Sequence, residues 1–165
     1  MDDITYRSLR PEDADALHGL VSDWDVVRQL GSWPWPPQRA FTQSRCKTYA
    51  GNGFVWGIFA KDLIGTVAIT EGELGYSLVR AQWGKGIVTY IAGVAIDHGF
   101  RDPARQSITA SIWSDNAGSR KVLTKLGFLM DRVGTEHALA RDAPTETIYY
   151  SLTRAAWHRL RTGAQ

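Results

Sequence analysis

The chain has little of what specifies a metal site, a disulfide framework or a membrane span. Cys46 is the only cysteine among 165 residues, which excludes an internal disulfide and the cysteine clusters of structural zinc sites. No apolar run approaches the roughly 18 residues of a membrane-spanning helix, and the first residues lack the basic and apolar regions of a secretion signal. We therefore expect a metal-free protein of the cytoplasm, away from membranes.

The chain also has little net charge of either sign. The 19 Lys and Arg residues stand beside 17 Asp and Glu residues, for a net charge of +2 with His neutral. So small a surplus does not predict the continuous basic stripe that binds nucleic acid. A nucleic-acid binder that uses basic and aromatic surface is therefore the weaker alternative.

Apolar residues make up 44% of the chain and charged residues 22%, which are ordinary proportions for a globular protein. One hydrophobic core can form at this length, and no repeat or linker divides the sequence, so we expect residues 1–165 to form a single domain. Seven tryptophans are many for this length, and Trp24, Trp33 and Trp35 lie close together. Their concentration indicates an aromatic pocket or an interface.

The apolar pattern predicts strands that first form a meander and then alternate with helices. The predicted strands are residues 4–10, 54–60, 63–70, 74–79, 107–113, 128–133 and 147–152. The predicted helices are residues 11–21, 38–49, 87–99, a short helix after 114–116 that ends at Gly127, and a last helix around Trp157. Three prolines make residues 31–37 a loop. The order predicts a mixed α+β fold, in which antiparallel hairpins are joined to a parallel pair by a strand-helix-strand crossover.

Residues 78–89 lead from a strand through a glycine-rich turn into a helix, which is the arrangement of an anion site. Gly84 and Gly86 let the main chain approach a phosphate, and the unpaired N–H groups at the start of the helix carry partial positive charge. Lys85 adds a charge. The turn has neither the nucleoside-triphosphate loop nor the three-glycine dinucleotide fingerprint, so we expect a pyrophosphate ester. A plain tight turn is the alternative.

Two motifs resemble those of the GNAT acetyltransferases, specifically the Rim-type branch that acetylates N-terminal amines. Residues 73–78 and 83–86 look like that branch's central strand and pyrophosphate loop, and residues 116–128 look like its second signature. The resemblance extends from Ile4 to Trp157 and includes the Trp-Pro-Trp-Pro loop. It implies a mixed, mostly antiparallel sheet of six or seven strands with helices on both faces.

Two residues depart from the general GNAT pattern. Gln or Arg usually stands at the position of Trp83, although the Rim-type branch commonly has an aromatic residue there. Gly or Ala usually stands at the position of Val88. We expect the main-chain cradle to remain, with Val88 crowding one phosphate and weakening coenzyme binding.

The resemblance implies transfer of an acetyl group from acetyl-coenzyme A (acetyl-CoA) to a primary amine by direct attack. The residues implied to bind the coenzyme are Leu78, Val79, Trp83, Gly84, Lys85, Gly86, Ile87, Val88, Thr89, Asn116 and Ser119. The main chain of Leu78 and Val79 would pair with the pantetheine arm as an added strand. The Asn116 side chain would hold the same arm, and a helix cap is its alternative role.

Aminolysis of a thioester needs a neutral amine, a stabilised oxyanion and a proton for the leaving thiolate. Ser119 lies one helical turn after Asn116 and is the predicted donor to the coenzyme sulfur, with a solvated hydroxyl as the alternative. Glu73 is the predicted base for the ammonium proton. Glu71 and Glu146 are similar candidates, and each of the three carboxylates is otherwise a surface group.

Trp33 and Trp35 are expected to form one wall of the acceptor site, with a core or dimer contact as the alternative. His98 and Cys46 are expected to be structural. The acceptor is expected to be a protein N-terminus or a small molecule such as a polyamine, an amino-acid derivative or an aminoglycoside. A non-catalytic sensor of acyl-CoA would keep the same coenzyme site. The sequence leaves a homodimer open.

Overall fold

The computed structural model describes residues 3–163, and these form a seven-stranded sheet with helices. The strands are β1 (Thr5–Ser8), β2 (Gly53–Phe59), β3 (Leu63–Thr70), β4 (Glu73–Leu78), β5 (Ser107–Trp113), β6 (Leu129–Ala138) and β7 (Ala143–Thr153). The helices are α1 (Ala14–Val21), α2 (Trp24–Val27), α3 (Arg39–Arg45), α4 (Ile87–Gly99), α5 (Ala117–Lys125) and α6 (Arg154–Thr162).

The strands lie in the order β1-β2-β3-β4-β5-β7-β6. Every neighbouring pair is antiparallel except β4 and β5, which are parallel and are connected through α4. The predicted α+β fold with a mixed, mostly antiparallel sheet is confirmed.

The side chains of β2 divide the core into two layers. Phe54, Trp56 and Ile58 pack in the large cluster that contains the apolar residues of α4, whereas Val55 and Phe59 pack with α1. Alternate residues of a strand point to opposite faces of its sheet. The helices α4 and α1 therefore cover opposite faces, and the expectation of helices on both faces is met.

The parallel strands β4 and β5 are splayed. In the described chain they share one registered pair, Glu73 with Thr109, beside which the Thr109 N–H donates to the Gly72 carbonyl at 2.9 Å. The strands separate toward their last residues, Leu78 and Trp113. This gap lies at the carboxyl ends of parallel strands, which is where α/β sheets commonly bind ligands.

Two helices differ from the predicted pattern. Helix α3 ends at Arg45 rather than at residue 49, because the chain leaves the helical conformation at Cys46 and buries that thiol. The prediction omits α2 altogether. This helix has four residues, too few to show an apolar period, and it is capped by the Asp23 side chain, which accepts from the Asp25 N–H at 3.0 Å.

The last hairpin is longer than predicted. Strand β6 continues to Ala138 and β7 begins at Ala143, whereas the pattern ends the first strand at Val133 and begins the second at Thr147. Strand β6 lies at the edge of the sheet and is exposed along nearly all its length. Its polar second half therefore has no apolar alternation to reveal a strand, and main-chain pairing with β7 holds it instead.

Asp13 joins β1 to the start of α1 through a partly buried ion pair with Arg7. Its carboxylate accepts from both Arg7 Nη atoms, at 2.7 and 2.9 Å, and from the Arg10 main-chain N–H at 2.7 Å. The hydrogen bonds from Arg7, helped by the one from Arg10, hold the pKa of Asp13 below its ordinary value despite its burial.

Replacing Asp13 with Asn is expected to lower the free energy of unfolding by about 2 kcal/mol at neutral pH, less than for a fully buried pair because the Arg7 guanidinium reaches solvent. A depressed carboxyl pKa adds stability above the unfolded value near 4, and this stability is lost as pH falls through the folded value. Urea unfolding at pH 7 and pH 3 should show the difference shrinking in acid. Asp15→Asn, at an exposed pair, is the control. A difference independent of pH would contradict the assignment.

Candidate active site

The gap between β4 and β5 opens into a cleft of about 1500 Å³. The residues of the predicted site that line it are Trp33, Glu73, Leu78, Trp83, Gly84, Gly86, Ile87, Val88, Thr89, Asn116 and Ser119. Val79, Lys85 and Trp35 lie outside this lining. The fold thus brings residues from four separate segments of the sequence to one cleft.

The N-terminus of α4 faces the cleft with free main-chain donors. Gly86 precedes the helix with a φ of 77° and has no side chain to cap it. The first bond into the helix runs from the Tyr90 N–H to the Gly86 carbonyl at 3.0 Å. The N–H groups of Ile87, Val88 and Thr89 come before that bond and have no partner within the helix. These donors, together with the helix dipole, form a site for an anion.

Three neighbours of this site differ in what they contribute. Gly84 has a φ of 75° with open space around its α-carbon, so glycine is needed there for the left-handed backbone. Lys85 is exposed, and its Nζ donates to Gln82 Oε1 at 3.0 Å. Val88 packs partly against the main core while it lines the cleft.

Polar bonds fix the turn between β4 and α4. The Trp83 indole N–H donates to the Leu78 carbonyl at 2.7 Å, so Trp83 fastens the turn to the end of the strand. Arg80 donates to Asp23 and to Asp25, each at 2.8 Å. The short helix α2 and the glycine turn therefore hold each other in place.

The register of β3 and β4 shows which main-chain groups face the gap. A two-residue turn closes the pair Thr70–Glu73, so every second pair along the strands is hydrogen-bonded. Val79 continues this series, since its N–H donates to the Ile64 carbonyl at 2.8 Å. The N–H and C=O groups of Tyr76 and Leu78 therefore point toward the gap, and the N–H of Val79 does not.

Asn116 and Ser119 meet at the start of α5. Asn116 Oδ1 accepts from the Ser119 N–H at 3.0 Å, so Asn116 caps the helix and its amide NH₂ remains for a ligand. The Tyr76 hydroxyl donates to the Ser119 carbonyl at 3.4 Å, and burial raises the pKa of Tyr76 to about 12. Tyr76 is thus a second hydroxyl beside Ser119, and the sequence marks it only as part of the strand motif.

Asp115 ties the turn before α5 to two distant segments. Both of its oxygens accept from Arg141, each at 2.9 Å, and Arg28 donates to one of them at 3.0 Å. The hydrogen bonds from Arg141 are the main reason that the pKa of Asp115 lies below its ordinary value. The network joins the β6–β7 turn and the end of α2 to the residue that precedes Asn116.

The three candidate bases occupy different places. Glu73 lines the cleft where β4 and β5 meet, and its Oε1 accepts from Ser111 Oγ at 2.5 Å. Glu71 lies in the β3–β4 turn, where its side chain accepts from the Asn52 N–H at 3.0 Å. Glu146 is exposed on β7, and neither it nor Glu71 lines the cleft. Of the three candidate bases, Glu73 is therefore the one that lines the cleft.

The two tryptophans of the predicted acceptor wall lie in different places. Trp33 lines the cleft and packs edge-on against Phe41, with ring centres 5.3 Å apart. Trp35 is 40% exposed and packs at a tilt against Trp24, with ring centres 5.2 Å apart. Only Trp33 of this pair contributes to the cleft wall.

Trp113, at the end of β5, is a cleft residue that sequence reasoning missed. It is 6% exposed, and its indole Nε1 finds no hydrogen-bond acceptor among residues 3–163. The alternation of apolar and polar residues predicts β5 but does not show that this strand diverges from β4. The sequence therefore does not distinguish Trp113 from a core residue.

His98 and Cys46 lie away from the cleft lining. The His98 ring packs against Phe54 and Trp56, and burial lowers its pKa. Cys46 is buried, which raises the pKa of its thiol. Residues 3–163 hold no group of three His, Cys, Asp or Glu side chains placed for a metal ion. None of their helices has the length and apolar character needed to cross a bilayer.

Sequence comparison identifies the family. Residues 3–129 match the Acetyltransferase (GNAT) domain. The Probable N-acetyltransferase YjcK of Bacillus subtilis is 38% identical over 144 residues, covering 76% of this chain and 80% of its own. The Uncharacterized N-acetyltransferase YoaA (25% identical, 93% and 94% covered) and the "Putative ribosomal N-acetyltransferase YdaF" (26%, 93% and 93%) of the same organism span nearly the whole chain. The chain belongs to the GNAT acetyltransferase family and is an acyltransferase.

Solved structures share the fold. Ribosomal-protein-S5-alanine acetyltransferase from Vibrio fischeri has a TM-score of 0.76 at 20% identity, with 95% of this chain and 96% of that chain covered. AAC(6')-Ib in complex with ribostamycin and coenzyme A has a TM-score of 0.77 at 20% identity, with 99% and 100% covered. These structures show the shared fold, and the name of YdaF agrees with the Rim-type resemblance. Acetyl-CoA is the co-substrate of this family.

Proposed function

We propose that this enzyme transfers the acetyl group of acetyl-CoA to a primary amine by direct attack, within a single domain. The observation that carries the proposal is the open N-terminus of α4 at the mouth of the splayed strands, behind two glycines with positive φ. The partial positive charge and free N–H groups of such a terminus suit a pyrophosphate. The N–H groups of Ile87, Val88 and Thr89 would hold it.

Main-chain groups of β4 would hold the pantetheine arm. Tyr76 and Leu78 present N–H and C=O groups to the gap, as an edge strand does to a strand that pairs with it. The Leu78 carbonyl already accepts from Trp83, and its second lone pair remains. The amide NH₂ of Asn116 supplies a donor from the side of α5. This assignment replaces Val79 of the predicted set with Tyr76.

The two proton-transfer groups lie on opposite faces of β4. Glu73 and Tyr76 are three residues apart, so their side chains leave the strand in opposite directions. Glu73 would take the ammonium proton on the face of the acceptor. Ser119, beside Tyr76, would give a proton to the thiolate on the face that α4 and α5 cover.

The identity of the acceptor is the more specific part of the proposal. A primary amine enters from the side of Trp33, and the two classes to compare are protein N-termini and small amines. The names of the similar proteins include both classes, since one is a ribosomal-protein-S5-alanine acetyltransferase and another is in complex with ribostamycin.

Calorimetry with CoA and mass spectrometry of reactions with acetyl-CoA test the proposal together. The panel of acceptors contains peptides with free N-termini, polyamines and aminoglycosides, and we expect heat of binding and an acetylated product. Binding without product from any acceptor would favour the acyl-CoA sensor. If the folded protein gives no heat of binding with CoA, the cleft is not a coenzyme site.

Ser119→Ala is expected to lower kcat about tenfold, because a thiolate is a good leaving group and needs only modest help from an acid. Tyr76→Phe is the matched comparison, since it keeps the ring and loses only the long bond to the Ser119 carbonyl. We expect it to lower kcat less. Steady-state kinetics at saturating acetyl-CoA measure both. Full turnover by Ser119→Ala, or a larger loss in Tyr76→Phe, would contradict the role of Ser119.

A further inference from the structure

Trp113 lines the cleft, and its buried indole N–H lacks a hydrogen-bond partner among residues 3–163. Trp83 and Trp157 show the usual arrangement, since their indole N–H groups donate to the Leu78 carbonyl at 2.7 Å and to Asp97 at 2.8 Å. Burial of an unpaired N–H costs its lost hydration, and nearly all such groups are paired. Because Trp113 lines the cleft, an oxygen on a ligand bound there is a candidate partner for this N–H.

Trp113 lies on the acceptor face of the sheet. Ile112 packs in the large core under α4, so its neighbours Ser111 and Trp113 leave β5 on the other face. Ser111 donates to Glu73 from that face. Thr147 lies directly opposite Trp113 on β7, and both line the cleft.

The surroundings of Trp113 hold the ring in place. The Arg141 guanidinium carbon lies 5.9 Å from the ring centre, and Arg141 is itself fixed by its two bonds to Asp115. The Thr147 hydroxyl is used within the strand, where it donates to the Thr145 carbonyl at 3.1 Å. The indole N–H is thus a preorganised donor beside groups that are already satisfied.

We infer that Trp113 Nε1–H donates a hydrogen bond to an oxygen of the acceptor, so that the enzyme selects amines with a carbonyl or hydroxyl oxygen near the reacting nitrogen. The inference rests on the proposed function. Glu73 receives the proton of the amine in the same cleft, and Trp113 donates a hydrogen bond to the oxygen. Peptide N-termini and amino sugars carry both groups, whereas a saturated polyamine has no oxygen. A site built to bond a polar group discriminates strongly against molecules that lack it.

Trp113→Phe keeps an aromatic ring and removes the N–H. The kcat/KM of parent and variant is measured with a peptide, an amino sugar and a diaminoalkane. The parent should prefer the two oxygen-bearing acceptors, and the variant should lose about tenfold of that preference. Comparing the peptide with the amino sugar shows whether the oxygen belongs to a peptide carbonyl or to a sugar hydroxyl. Benzothienylalanine at this position, which has sulfur in place of the N–H, repeats the test at nearly constant shape.

Nuclear magnetic resonance gives a readout that needs no turnover. The Trp113→Phe variant identifies the Trp113 indole signal among the seven tryptophans. That signal should move when an oxygen-bearing acceptor is added and stay when the diaminoalkane or CoA is added. Trp157→Phe is the control, because it removes a satisfied indole outside the cleft and should leave the acceptor preference as it is.

Three results would overturn the inference. They are an equal loss of kcat/KM with all acceptors, a rise in KM for acetyl-CoA alone, and an indole signal that responds to no oxygen-bearing acceptor. If no acceptor is acetylated, the proposed function fails, and the titration of the indole signal still decides whether the hydrogen bond forms.

Discussion

Gly86→Asp should weaken CoA binding by on the order of 100-fold or more while the protein stays folded. Gly86 is the cap position of α4, and the three N–H groups beyond it are the proposed pyrophosphate ligands. An Asp side chain there would accept from these same donors and place a negative charge where the phosphates bind. Asp also tolerates a positive φ better than most residues, so the turn can keep its shape.

Gly86→Asn distinguishes the effect of the added negative charge from the effect of a side chain that occupies the main-chain donors. Asn caps a helix as Asp does and accepts the left-handed conformation, but it is neutral. We expect CoA binding by the Asn variant to fall less than by the Asp variant, with similar melting temperatures for both. Calorimetry and thermal unfolding measure the two effects. Parent-like affinity in Gly86→Asp would show that the phosphates bind elsewhere.

The glycine turn before α4 is predictable from sequence because its physics is local. Two glycines next to the start of a helix determine the backbone conformation, the free N–H groups and the dipole without help from distant residues. The same holds for the Asn116 cap, which bonds to a residue three positions later. Motifs of this kind specify their own local geometry within one segment, and both the glycine turn and the Asn116 cap lie at the cleft.

The acceptor side depends on contacts that a single sequence does not show. Asp115 and Arg141 are 26 residues apart, and Asp115 and Arg28 are 87 apart, yet these pairs shape the wall beside Trp113. The choice between Tyr76 and Val79 depends on the register of β3 against β4. Glu71, Glu73 and Glu146 are equivalent as residue types, and only their positions relative to the gap separate them.

Strand β4 connects these two sides because it lacks a full partner. On the face of α4 it contributes Leu74 and Leu78 to the core, and on the other face Glu73 meets Ser111. Its main-chain groups that face the gap remain for a ligand beyond the pair Glu73–Thr109. In the proposed complex, this strand would therefore separate the coenzyme from the base, and the gap would let the amine reach the thioester from the acceptor face.

Glu73→Gln should lower kcat/KM for the amine by about 100-fold at neutral pH, since a positioned base typically contributes this much. The physical reason is that the attacking amine arrives protonated and must lose its proton in the cleft. The deficit should shrink as pH rises toward the pKa of the amine, because the acceptor is then already neutral. The KM for acetyl-CoA should change little. pH–rate profiles of parent and variant measure both.

Glu146→Gln is the matched control for this experiment, because it makes the same chemical change on the same sheet at a carboxylate that does not line the cleft. Its profile should follow that of the parent. Ser111→Ala adds a second check, since it removes the hydroxyl that orients Glu73 and should produce a smaller loss of the same pH dependence. If Glu73→Gln overlays the parent at every pH, then the proton leaves by another route, and Glu73 serves only to pair β4 with β5.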